Sequence, residues 1–422
     1  MGFLRMVADR KHPRVVVTGM GVTTPIGQSV ADFWDALAAG QCGIQPIEGI
    51  AEDELNRLSV RIAGQVRGFD HADRLAGWKH DKSIMHSSRY CWLAAAAADE
   101  AVRQSGLEVP VPDPHRVACI VGSAVGGQIN SEIAGRDLYL RNKRAVHPML
   151  LPRIVASSAS AHIGIEHGIR GPTYAICSAG ASATHSIGIG YDYIRHGMCD
   201  VAIVGGSESA ITYTALLACE ALGFLSPEGC FPFAQRRNGT VFGEGAGILV
   251  LETEAHARAR DADVLAEICG FGMTGGGEDM LRPDVESSSA AMRMAIDDAG
   301  ISPRDIDYVN ANATGSRLGD RDETAAIKTT FGNHAKSLCV SSTKSMHANL
   351  IGASGAVEAV ACIKAMETGL VPPTMGLDEA DPECDLDYVP HCAREKQIGY
   401  AMSNSFALGE MNASLVFGPP PG

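Results

Sequence analysis

The stretch Gly171–His185, GPTYAICSAGASATH, places a strand-like run ahead of a small-residue turn and a helix, within a chain of 422 residues. Turns of this kind in α/β proteins commonly seat a nucleophile, where a helix N-terminus favours negative charge. The apex here is Gly180, which has no side chain to attack with. The fold and the chemistry must therefore be read from what surrounds it.

Outward from that turn, the apolar runs RVVVTGMGV (14–22), RVACIVGSAVGG (116–127) and VAIVGGSES (201–209) each end in a glycine-rich turn and read as buried strands. Helical patterns lie between them, at Ser87–Gln104, Thr184–Arg195, Ser287–Ala299 and Gly352–Glu367. Their alanine content implies close helix packing in a layered α/β/α body. Residues 98–127 and 291–315 both run helix, glycine cap, proline-containing loop, strand and small-residue turn. This suggests a duplication of about 200 residues with two similar sheets stacked together, although any α/β protein repeats part of that pattern. Ile50–Lys82 and Asn130–Arg153 have weak periodicity and are expected to be loops or short helices over an entrance or a subunit contact.

Composition narrows the function. The formal net charge of −14 argues against a general nucleic-acid or anionic-membrane surface, so an acidic partner would need a local basic patch. Twelve cysteines without C-x-x-C spacing fit a reducing cytoplasm. The basic start MGFLRMVADRKHPR precedes only a short apolar strand, unlike a secretory signal, and Met6 spoils a myristoylation pattern. No apolar run approaches the roughly 18 residues of a membrane span.

Several motifs agree at once with a known family. VVVTGMGVTTPIG, GSAVGG, GPTYAICSAGASATHSIG, DVAIVGGSES, FGEGAGILVLE, DYVNANATGSRLGD, SSTKSMHANLIGASGAVE and SNSFALGEMN follow the order and spacing of β-ketoacyl-ACP synthases. The chain resembles the elongating, fabF-like type from about Arg14 to Phe417. The resemblance implies a thiolase-like five-layer αβαβα fold with internal duplication, with halves at 14–265 and 266–418. It implies no cofactor and no metal.

Members of that family carry out a decarboxylating condensation with a Cys nucleophile, two His and a supporting Lys. Counted along the motifs, the Cys falls on Gly180, the first His on Asn312 and the second on Asn349. Lys344, Asp320, Glu323, Glu358 and Ser182 remain. Glycine cannot form an acyl thioester, and asparagine donates hydrogen bonds without cycling a proton near neutral pH. Cys177 is either a displaced nucleophile or a buried small hydrophobe, as are Cys119 and Cys339 in their strand-like runs. His185 is expected in a structural hydrogen bond, and His347 is a candidate substitute donor or base near the missing second histidine. The family's gating turn GFGG becomes ALGEM, with Leu408 in place of the aromatic gate and Glu410 and Met411 in place of glycines, so loop mobility should fall. Ala234 replaces an Asp of the family's PFD.

Three functions compete. The first is a non-condensing partner of an intact ketosynthase, similar in role to a chain-length factor, whose Val125, His147, Met149 and Leu150 would reach the end of the partner's tunnel. Chain-length factors more often carry Gln at the apex, so Gly180 departs from that pattern as well. The second is a non-covalent malonyl-ACP decarboxylase or acyl-chain cyclase, with Asn312 and Asn349 holding the thioester carbonyl. The third is a condensing enzyme with a rearranged site built on Cys177 or His347. Val125, Met149, Leu150, Ser182, Phe406 and Leu408 are the expected substrate contacts, and Lys79, Lys82, Lys143 and Arg144 the expected contacts to an acyl carrier protein. The expected assembly is a heterodimer with an intact ketosynthase, or a homodimer.

Overall fold

The structure is a computed structural model describing residues 12–80 and 82–422, so the N-terminal segment with Met6 lies outside the described residues. Ten strands build its main sheet: β1 (Val15–Thr23), β2 (Val117–Gly122), β3 (Thr173–Tyr174), β4 (Val201–Ser209), β5 (Glu244–Thr253), β6 (Ala266–Gly275), β7 (Ile306–Asn310), β8 (Cys339–Ser341), β9 (Tyr400–Ala407) and β10 (Met411–Gly418). Six longer helices pack against it: α1 (Arg89–Ser105), α2 (Ser158–His167), α3 (Ser182–Arg195), α4 (Val285–Ala299), α5 (Arg317–Phe331) and α6 (Ser354–Thr368). The four helices expected from periodicity are present with ends displaced by at most two residues, as caps such as Asp284 and the left-handed Gly106 and Gly300 settle the boundaries.

Chain order gives β-α-β-α-β-α-β-β twice, and the sheet order β8-β7-β9-β10-β6-β1-β5-β4-β2-β3 contains the same five-strand arrangement in both halves. In each half the second strand pairs in parallel with the third and fourth, and the last two pairings are antiparallel. The expected duplication is thus visible in topology. The halves are also joined edge to edge, because Val15–Val17 of β1 pair with Ala266–Ile268 of β6 and close one ten-stranded sheet. Helices α3 and α6 pack on each other and on strands of both halves, forming the middle layer, while α1 and α2 cover one outer face and α4 and α5 the other. That is a five-layer αβαβα body of the thiolase-like ketosynthase type.

The layers close tightly because small residues face each other. A Cβ on Gly19 or Gly21 of β1 would lie 2.0 Å from the carbonyl oxygens of Ala101 or Ala97 on α1. In the second half, Gly270 and Gly272 of β6 meet the carbonyls of Ala295 and Ala291 on α4 at 2.1 Å in the same way. The alanine-rich helices and glycine-bearing strands are therefore one packing device used twice.

The weakly periodic segments hold short helices at Glu52–Leu55, His71–Arg74, Gln128–Gly135 and Leu150–Ile154, but the first also contains a short strand, Ile62–Gly64, paired antiparallel with Ile44–Pro46, which the expectation of loops and short helices missed because three residues show no alternation. The second segment leaves Ile133, Tyr139, Leu140, Val146 and Leu151 exposed, and Val155 just beyond it is exposed as well. All twelve cysteines are free. Among the described residues, no helix is long and apolar enough to cross a membrane.

Candidate functional site

Equivalent connections of the two halves converge on one place. The turn Ala179–Ala181 leads into α3, and its counterpart Ile351–Ala353 leads into α6. Both turns begin on a residue in the left-handed region, Ala179 at φ 47° and Ile351 at φ 49°, a strained conformation that the surrounding packing must hold. Between them lie Asn312, just beyond β7, the end of β9 with Phe406 and Ala407, and Leu408 in the β9–β10 connection. Together these segments wall a cavity of about 620 Å³ that opens past Leu222, Met280, Leu281, Arg282, Arg317 and Leu318.

Gly180, Asn312 and Asn349 all line that cavity, so three positions far apart in sequence meet as expected. A Cβ on Gly180 would meet only the Ala407 Cβ, at 3.7 Å, which is ordinary contact. Asn312 Nδ2 donates to the Phe406 carbonyl at 3.1 Å. Asn349 Oδ1 accepts from the Ile351 N–H at 3.0 Å and from Ser354 Oγ at 3.2 Å. Its Nδ2 has no partner among the described residues, which leaves one amide donor for a guest.

Buried charges hold the loops, two of them, Asp320 and Glu323, in the cavity wall itself. Glu323 accepts the N–H groups of Asn312 and Ala313 at 2.9 and 2.7 Å, and burial pushes its carboxyl up to about 7 against those hydrogen bonds and the Lys344 charge. Asp320 accepts from Phe233 N–H at 2.9 Å and from Thr314 and Gly315 N–H at 3.1 and 3.2 Å; burial pushes it up to about 6. Lys344 is fully buried, pairs with Glu358, and is absent from the cavity wall. These acids and this lysine fix the shape of the turns.

Several expected residues are placed elsewhere. His347 is buried outside the cavity, its Nδ1 against the Ala348 carbonyl at 2.7 Å and its Nε2 against Thr343 Oγ1 at 3.0 Å. Burial and the Lys344 charge push it down to about 3, so it stays neutral and reaches no guest. Cys177 is neither in the cavity wall nor buried in the sheet: it is exposed, with Sγ 3.2 Å from the Ala124 carbonyl, because the chain has left β3 before reaching it. Cys119 and Cys339 are buried in β2 and β8. Ser182 is buried in the turn, donating to the Ala179 carbonyl at 2.7 Å, and does not line the cavity. His185 Nδ1 lies 2.8 Å from Ser178 Oγ. Ala234 is buried and also away from the cavity wall.

Phe406 and Leu408 do line the cavity, whereas Val125, His147, Met149 and Leu150 do not. Lys79, Lys82, Lys143 and Arg144 are exposed and outside it, and Lys143 pairs with Asp137 at 2.8 Å. At the gating turn, Gly409 is retained at φ 77° ahead of Glu410 at φ 55°. The turn is nonetheless tied down: Gly409 N–H donates to the Met280 carbonyl at 2.8 Å, and Glu410 Oε2 accepts from Glu278 N–H at 3.0 Å. Sequence reading missed Ser354, Cys219, Arg282 and Arg317 of the wall. The repeated tripeptide Gly-Ala-Ser at 180–182 and 352–354 was the signal for Ser354. Cys219 is the cysteine of the cavity wall among the described residues, and burial pushes its thiol up, away from the reactive thiolate.

Known proteins share both the sequence pattern and the fold. The model of the β-ketoacyl synthase N-terminal domain matches residues 12–257, and that of the β-ketoacyl synthase C-terminal domain matches 265–378. Nodulation protein E of Rhizobium sp. (strain N33) is 40% identical over 407 residues, covering 96% of this chain and 98% of that protein. The 3-oxoacyl-[acyl-carrier-protein] synthase 2 of Staphylococcus aureus (strain COL) is 40% identical over 417 residues, with the same coverage of 96% and 98%. A solved structure described as "The ishigamide ketosynthase/chain length factor" is 32% identical with a TM-score of 0.91, covering 97% of this chain and 100% of that one.

Proposed function

The chain belongs to the β-ketoacyl synthase family, and on that premise we propose that it is a non-condensing, chain-length-factor-like partner of an intact ketosynthase in fatty-acid or type II polyketide or polyene biosynthesis. One observation carries the reading. The positions that the resemblance assigns to Cys, His and His are Gly180, Asn312 and Asn349, and they stand together on the wall of one cavity while the buried Lys344, Glu358, Asp320 and Glu323 keep its shape. Nothing at Gly180 can carry an acyl group, and neither asparagine can take and return a proton at neutral pH.

The reading gives the exposed segment 125–155 a purpose. Val125, Met149 and Leu150 stand clear of this chain's own cavity, on a stretch with exposed apolar side chains. In the pair they close the end of the intact subunit's acyl tunnel and set its length, a contact that also covers that apolar surface. Lys79, Lys82, Lys143 and Arg144 then guide an acyl carrier protein to the partner's mouth. The halves are 14–265 and 266–418, and the pair works in the cytoplasm.

Co-expression with an intact ketosynthase is the test. A one-to-one complex that condenses acyl and malonyl carrier substrates, with neither subunit active alone, is the expected result. CO2 release from malonyl-ACP by this chain alone, at a rate that falls when Asn349→Ala removes the free amide donor, would instead establish the decarboxylase reading.

A further inference from the structure

One end of the cavity wall is built from oxygen atoms that the rest of the chain leaves unused. Glu410 is 5% exposed, Asn412 2% and Ser288 4%, and all three line the cavity. Glu410 Oε2 accepts from the Glu278 N–H at 3.0 Å, while its Oε1 has no partner among the described residues. Asn412 Nδ2 donates to Ser287 Oγ at 3.0 Å, and its Oδ1 is unpartnered among the described residues, as is Ser288 Oγ. None of the three free oxygens is sealed inside the protein, so each keeps access to the cavity. They also belong together: Glu410 and Asn412 lie two residues apart at the start of β10, and the Asn412–Ser287 bond ties them to α4, where Ser288 follows. A carboxylate buried this deeply, with one N–H donor and no cation paired to it among the described residues, costs stability unless a positive group meets it. The family's gating turn has glycine where Glu410 stands, so this charge is the chain's own.

We infer that this end of the cavity is a non-covalent site for a primary aliphatic amine. An alkylammonium has three N–H donors, and Glu410 Oε1, Asn412 Oδ1 and Ser288 Oγ offer one acceptor to each. Its chain lies along Phe224, Phe242, Phe406 and Leu408, in the room that glycine at position 180 leaves open. An anion of the same length fits less well. The exposed Arg282 and Arg317 would draw it to the mouth, but farther in it meets the Glu410 charge. Holding the amine requires neither a partner subunit nor a covalent step, so the site goes beyond the partner reading and does not depend on it.

Isothermal titration calorimetry of the purified full chain with hexylamine, hexanol and hexanoate at neutral pH is the test. The expected result is one hexylamine per chain, bound at least about tenfold more tightly than hexanol or hexanoate, since hydrogen bonds to a charged group are the strong ones. Glu410→Gln should abolish that advantage, and Ser288→Ala should weaken hexylamine about threefold. Glu410→Gln keeps an acceptor for the Glu278 N–H, and its urea midpoint checks that the wall still folds. Equal affinity for the amine and the alcohol, tighter binding of hexanoate, hexylamine binding unchanged in Glu410→Gln, or no binding of hexylamine at all would each overturn the inference.

Discussion

The turns Ala179-Gly180-Ala181-Ser182 and Ile351-Gly352-Ala353-Ser354 occupy equivalent places in the two halves, share Gly-Ala-Ser, and start from nearly the same positive φ. Their glycines differ in kind. A Cβ on Gly352 would lie 2.6 Å from the Ala124 backbone nitrogen and 2.6 Å from Glu208 Oε2, and its N–H donates to that carboxylate at 3.2 Å. A Cβ on Gly180 would meet one methyl group at 3.7 Å. The second glycine is demanded by packing, whereas the first occupies a place with room for a side chain. Identical tripeptides therefore record a packing constraint in one half and, in the other, a position with room for a side chain.

The largest effect should come from forcing a side chain into the crowded turn. Gly352→Ala drives a methyl into backbone and into buried Glu208, whose carboxyl burial already pushes up to about 7. A loss of about 3 kcal/mol is expected, toward the upper end for overpacking, read from urea denaturation. Gly180→Ala should change stability by less than about 0.5 kcal/mol in the same assay. Equal losses at the two positions would erase the distinction between the turns.

Much of the molecule was legible in its sequence, for physical reasons that differ by residue. The strand–turn–helix units were readable because buried strands and alanine-rich helices impose periodicity, and the motif spacing located Gly180, Asn312 and Asn349, which do line one cavity. The direction of a side chain was not readable. His347 lies two residues before Asn349, yet Ala348 between them, at φ 67°, turns the chain so that the imidazole is buried and the amide faces the cavity. Cys177 misled in the same way, since β3 is only two residues long and the alternation of a strand stops before reaching it. Arg282 and Arg317 lie where a loop ends or a helix begins, and no periodicity marks which such residues a cavity will recruit.

Acid should expose the second turn next. His347 is held neutral in the folded state, pushed down to about 3 by burial and Lys344, whereas in the unfolded chain it takes a proton below about 6.5. Its contribution to stability is therefore complete above about 6.5 and is lost as pH falls from there toward 3. Between those values the slope from this group is about 1 kcal/mol per pH unit. His347→Gln should flatten the stability profile over that window relative to the native chain; superimposable profiles would show that the imidazole is not held neutral.

The gating turn should respond less. Glu410→Gly relieves a positive φ worth about 1 kcal/mol and gives up a hydrogen bond worth about as much, so stability barely moves. The side-chain tie to the Glu278 N–H is nevertheless cut, and amide exchange at 278 should speed up, while Glu410→Gln, which keeps an acceptor, should not alter it. Unchanged exchange in the glycine variant would mean that the backbone bonds Gly409–Met280 and Gly276–Glu410 fasten the turn without it.

The smallest structural effect and the sharpest chemical one meet at Gly180→Cys. Stability should stay within about 0.5 kcal/mol, because the added atoms fill open space beside Ala407. The new thiol would sit at the N-terminus of α3, where the helix field favours a thiolate, and should be alkylated by iodoacetamide faster than the native exposed Cys42, Cys177 and Cys392. It should still not condense, since Asn312 and Asn349 supply no proton transfer. Adding Asn312→His and Asn349→His to it should produce an acyl adduct by intact mass and then a condensation product. A condensing single variant would mean that the asparagines were never the barrier and that the whole defect lay in one missing sulfur.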